Sequence, residues 1–159
     1  MDLKSILKLE GFFLFLVLSA TACNLRYDST SSGTTPSVNI RGSIITVEVA
    51  DTPALRAQGL SARASLEANS GMLFLFDFQA KPSFWMKDMK FALDFLWLRN
   101  ASVVDIIENV PPPATGTPDS GLTLYTPAEI VDSVLEVNAG YVAQHQIQKG
   151  DKITLNLGR

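Results

Sequence analysis

SGMLFLFDFQAKPSFWMKDMKFALDFLWL, Ser70 to Leu98, sets the pattern of the folded domain. Met72 to Phe78 is apolar on both faces until Asp77, the pattern of a strand covered on both sides. Lys81-Pro82 ends that run, because proline offers the sheet no donor. Phe84 to Met86 fits a short strand. From Phe91 to Leu98 the period is two: Phe91, Leu93, Phe95 and Trp97 share one face, and Ala92, Asp94, Leu96 and Leu98 share the other. Asp94 is thus a carboxylate on an otherwise apolar face.

The neighbouring segments extend the same pattern. Arg99-Asn100-Ala101 reads as a hairpin turn that returns into an antiparallel strand, Val103 to Val110. Upstream, Ile45, Val47 and Val49 alternate with Thr46 and Glu48 in a half-buried strand. Asp51-Thr52-Pro53 then starts a short helix, with a cap residue before proline, and Gly59 stands near its end. Downstream, the run of prolines in Pro111 to Gly121 excludes a sheet or helix interior. Thr123 to Thr126 fits a short strand. In the strand Ser133 to Val137, Val134 and Glu136 face one way and Leu135 and Val137 the other. Asn138 to Gln148 has weak helical character, and Lys152 to Leu157 alternates as a closing strand. Roughly six to eight short strands and two short helices, without regular βα alternation, predict an α+β, β-rich fold. The expected form is a small, mostly antiparallel barrel or curled sheet.

The beginning of the chain has a different composition. Lys4 and Lys8 precede the apolar run Gly11 to Ser19, and Ala20-Thr21-Ala22-Cys23 follows. That is the layout of an export signal, and its apolar part is far shorter than the ~20 residues that span a bilayer. Two cleavage readings fit. Cys23, the only cysteine, stands where a lipobox places the residue that takes a lipid, although Ala20 replaces the usual leucine. Ala20-x-Ala22 also fits ordinary signal peptidase, which leaves a soluble periplasmic protein. The first reading predicts a lipoprotein of the bacterial cell envelope, anchored to the membrane through Cys23. Asn24 to about Ser37 is rich in Ser, Thr and Gly and reads as a tether. The expected division is a signal peptide over 1–22, a tether over 23–40 and a single domain over 41–159.

A set of motifs in fixed order accompanies these elements: Gln58-Gly59-Leu60-Ser61 with Arg63, Gly71-Met72-Leu73-Phe74, Phe84-Trp85-Met86-Lys87-Asp88-Met89, Leu93-Asp94, Leu135-Glu136 with Gly140, and Gly150-Asp151. In this ordered set the chain resembles the family of domains of unknown function called DUF192. The resemblance implies a compact β-rich domain, often exported or lipid-anchored, with no established activity. Gln58, Ser61 and Asp88-Met89 depart from the family's usual Arg, Met and Asn-Thr.

Candidate chemistry concentrates in few residues. Strand geometry puts Trp85 and Lys87 on one face, where they could stack on and attract a small ligand, a glycan or a protein partner. Lysines flanking an ordinary core strand account for the same residues. Asp94 and Glu136 are carboxylates on strands; each needs partners if buried. Together they could form the acid and base of an envelope hydrolase if they faced each other across a cleft, within about 5–10 Å. Structural pairing accounts for each of them singly. The net charge is −3 with no basic run, so no nucleic-acid partner is expected. With one cysteine and one histidine, His145, no metal site is expected, and no cofactor motif is present. His145 reads as a surface residue.

Overall fold

The computed structural model describes residues 34–158. The expected signal peptide, Cys23 and most of the tether lie outside the described residues. Seven strands form one sheet: β1 (Ser37–Ile40), β2 (Ser43–Ala50), β3 (Ser70–Ala80), β4 (Leu93–Arg99), β5 (Ser102–Val110), β6 (Val131–Asn138) and β7 (Ile153–Asn156). Two short helices accompany them, α1 (Pro53–Gln58) and α2 (Tyr141–Gln144), with a single 3-10 turn at Asp119–Gly121. The strand order is β5-β4-β6-β3-β2-β1-β7. Every pairing is antiparallel except β2 with β3, which run parallel because α1 and the segment after it carry the chain back.

The sheet curls until its two edge strands meet at one end. Ser102, at the start of β5, bridges Lys152 just before β7. Val103 N donates to Asp151 O at 2.9 Å and Ile153 N to Ala101 O at 3.0 Å. The expected β-rich curled sheet with two short helices is therefore the observed one.

The curl separates two cores. The inner one takes side chains from all seven strands, among them Val38, Ile45, Leu73, Leu96, Val103, Leu135 and Ile153, and α2 caps it with Tyr141 and Val142. The second lies on the opposite face of β2 to β6. It holds Phe74, Phe95, Trp97 and Val134, covered by Leu60, Met86 and Met89 from the connecting segments. β4 serves both: Leu93, Phe95 and Trp97 point to one core, Leu96 and Leu98 to the other. Its alternation in the sequence thus describes two buried faces. Burying a large apolar side chain contributes about 1.5–3 kcal/mol, so β4 is the most stabilising strand by content.

Local signals explain α1 and the close strand contacts. Thr52 accepts from Leu55 N at 3.2 Å as N-cap, Pro53 takes the first turn, and Gly59 ends the helix with φ 51°. Gly71 is required by a close approach: a Cβ there would lie 2.6 Å from the Glu136 carbonyl oxygen on β6.

Three expectations change. Residues 37–40, read as tether, are β1, between β2 and β7 with Val38 and Ile40 fully buried. Phe84 to Met86 is not a strand, and neither is Thr123 to Thr126. One bridge joins them, with Phe84 N donating to Tyr125 O and Tyr125 N to Phe84 O at 2.9 and 2.8 Å. The reason is packing: Phe84 is fixed edge-on against Phe74 and Trp97, with ring centroids 4.9 and 5.4 Å apart, so the segment lies over the sheet instead of joining it. His145 is half-buried, not on the surface: its ring stacks on Tyr141 at 4.1 Å and Nδ1 lies 2.8 Å from Ser43 Oγ.

Candidate functional site

The second core is not closed. Between the segments that cover it lies a cleft of about 330 Å³. Its floor is the sheet itself: Phe74 and Phe76 of β3, Leu93 of β4 and Glu136 of β6. One wall is the end of α1 and the turn after it, Arg56 to Ser61. The other is the segment from Pro82 to Met86, with Met89. The two walls are tied together, because Ser61 Oγ donates to Lys87 O at 3.0 Å and Ala62 N to Asp88 O at 3.0 Å.

Arg56 locks α1 to the sheet. Its Nη1 donates to Asp51 O at 2.9 Å and to Leu75 O at 2.7 Å, while the guanidinium lies over the Phe76 ring, 5.6 Å from the centroid. After the turn, Arg63 forms a two-pronged pair with Glu48. The hydrogen bonds from Arg63 hold the Glu48 carboxyl below its ordinary range. The wall is thus fixed to β2 and β3 from both ends.

Glu136 is the chemical centre of the cleft. It sits on β6 between its cross-strand neighbours Met72 and Phe95, and is 5% exposed. Among the described residues its carboxyl has neither a hydrogen-bond partner nor a cationic one. Burial alone pushes its pKa up to about 8, so at neutral pH it holds its proton. Carboxyls of this kind gather at functional sites.

Asp94 is a different group in a different place. On β4 it stands opposite Val137, and its side chain points to the inner core, away from the cleft. Fully buried, it accepts from Asn109 N at 2.8 Å and from Val142 N at 2.9 Å. It fastens the end of β5 and the start of α2, to which the chain turns through Gly140 at φ 85°. Asp94 and Glu136 therefore lie on opposite faces of the sheet, and the acid–base pair expected of a hydrolase is not formed. A slip of one residue in strand parity is the whole difference.

Trp85 stands on the rim of the cleft, 47% exposed. Lys87 lies next to it, with Nζ 5.7 Å from the Trp85 ring centroid, so the expected meeting of the two side chains occurs. Lys87 does not line the cleft. Its ammonium is turned to Asp119 in the proline-rich segment, and that hydrogen bond raises its pKa.

Sequence reasoning missed Gln58 and Ser61 as cleft residues and the role of Arg56. A signal was available. The motifs Gln58 to Ser61, Phe74, Phe84 to Met86, Leu93 and Glu136 are scattered over the chain, yet all of them line this one cleft.

Residues 36–155, which hold this fold and these motifs, match the model of DUF192, an uncharacterised family. The chain belongs to the DUF192 family. Among solved structures it is similar to a protein of unknown function from Novosphingobium aromaticivorans DSM 12444, at 29% identity and TM-score 0.66 over 74% of this chain and 83% of that one. It is also similar to a candidate transcription regulator from Sinorhizobium meliloti 1021, at 30% identity and TM-score 0.67 over 76% of this chain and 92% of that one. No curated protein matches the sequence.

Proposed function

We propose that this protein is an exported, lipid-anchored domain of the bacterial cell envelope that binds a small ligand in the cleft above β3, β4 and β6. The single observation that carries the binding reading is convergence: motifs far apart in the sequence meet around one cleft with a partnerless buried carboxyl at its floor. Its volume of about 330 Å³ lies within the usual range of small-molecule sites, and its lining is mostly apolar and aromatic with few polar groups. Trp85 offers a face for stacking at the entrance. Gln58 and Ser61, where the chain departs from the family's usual residues, stand in the wall and would tune which ligand is taken.

The anchoring part of the proposal rests on the leader. Cys23 follows an apolar run and small residues, and about ten residues separate it from the first described one, Thr34. A lipid there would hold the cleft near a membrane surface.

The binding reading is tested by a fragment screen on the purified protein, read by NMR. Hits are expected to shift resonances of Trp85, Met86 and Ser61, and Trp85→Ala is expected to weaken them while the protein stays folded. Hits that map elsewhere contradict the reading. Metabolic labelling with a palmitate analogue tests the anchor: the label is expected on the wild type and absent from Cys23→Ala. An unlabelled wild type rejects the anchor.

A further inference from the structure

We propose that the cleft takes a primary ammonium group, held by the Glu136 carboxylate on the floor, with the apolar part of the ligand against Phe84 and Trp85. This rests on the ligand-binding reading above and names the class of ligand.

The geometry supports it in three ways. First, Arg56 and Glu136 are the only ionisable side chains that line the cleft among the described residues. Arg56 is committed through Nη1 to the carbonyls of Asp51 and Leu75 and lies over Phe76, so it serves the wall. Second, among the described residues none of the groups packed around Glu136 forms a hydrogen bond or an ion pair with it. Its neighbours across the sheet are Met72 on β3 and Phe95 on β4, and Val134 shares its face on β6. The covering segments bring Leu60, Met86 and Met89. The nearby lysine, Lys87, pairs with Asp119 outside the cleft, and Asp94 is on the far face. A buried carboxyl without a cation is unfavourable when charged, and an entering ammonium supplies the missing counter-charge and donors. Third, the walls carry aromatic rings, whose faces attract cations and whose area suits an apolar ligand body.

In the empty cleft Glu136 carries a proton. As the ammonium enters, the carboxyl releases that proton to solvent, and the resulting carboxylate accepts an N–H of the ligand. Binding of each ammonium therefore releases up to one proton. Affinity rises with pH up to about 8, by as much as tenfold per unit, and levels off above it.

The test uses the purified protein with matched probes, 2-phenylethylamine against 2-phenylethanol and hexylamine against hexanol, titrated by calorimetry from pH 6 to pH 9. The amines are expected to bind at least tenfold more tightly than the alcohols at pH 8. Repeating the titration in buffers of different ionisation enthalpy is expected to show proton release at pH 7. Glu136→Gln is expected to remove the preference for amines and the pH dependence. A thermal melt checks that this variant is folded, and wild-type proton release remains a separate readout. Alcohols bound as tightly as amines, without proton release, would overturn the ammonium assignment and leave the ligand-binding reading standing. If neither class binds and Trp85 resonances do not respond, both readings fail.

Discussion

Asp94 and Glu136 are near neighbours across the β4–β6 ladder, and they teach opposite lessons. Asp94 stands opposite Val137, one residue along from Glu136, so strand parity sends the two carboxyls to different faces. Asp94 meets two backbone amides and is spent on architecture. Glu136 meets apolar side chains and an open cleft. Both are buried acids in the central sheet; what separates structure from candidate function is whether the fold supplies a partner.

The two carboxyls differ most in how stability depends on pH. An acid whose folded pKa lies above its unfolded value keeps its proton in the fold after the unfolded chain has lost it. Glu136 should therefore lower stability as pH rises from about 4.5 to about 8, with no further loss above. Glu136→Gln should remove this contribution, so that at pH 9 the variant is more stable than the wild type by several kcal/mol. Urea unfolding of both proteins at pH 5, 7 and 9 measures it. A wild type and variant that track each other across the range would show that Glu136 is not protonated in the fold.

Asp94→Ala should act in the opposite direction. Removing the carboxylate leaves the amides of Asn109 and Val142 without an acceptor, so a loss of about 3 kcal/mol is expected at pH 7. Ligand affinity should change little in molecules that remain folded. A loss of binding at retained stability would mean that Asp94 also serves the cleft.

Smaller effects are expected on the rim. Trp85→Ala removes a half-exposed ring, so stability should fall by less than about 1 kcal/mol, whereas binding of cleft ligands should weaken by roughly tenfold. Lys87→Met should do least of all. Its ion pair with Asp119 is a surface pair outside the cleft, and neither melting temperature nor affinity should shift measurably.

The sequence revealed elements whose cause is local. The alternation of Phe91 to Leu98 and of Ser133 to Val137 assigned every side chain to its correct face, because a strand's period is built into its backbone. Thr52-Pro53 and Gly59 marked both ends of α1 for the same reason. Non-local causes were hidden. β1 has four residues, two of them apolar, and becomes a strand only because β2 and β7 flank it. Phe84 leaves the sheet only because Phe74 and Trp97 lie beneath it. Of the candidate site, Trp85 and Glu136 were legible as unusual residues on strand-like segments. That they share a cleft, while Asp94 does not, depends on strand order, which no local pattern carries.

Glu136 is a buried acid for which the described residues provide no partner. The most direct measurement is an NMR titration of glutamate side-chain carboxyl carbons, with Glu136 assigned by comparison with Glu136→Gln. A midpoint near 8 is expected, displaced downwards when 2-phenylethylamine is added. A midpoint near the ordinary 4.5 would contradict it, since the carboxyl would then be solvated or paired in the folded protein.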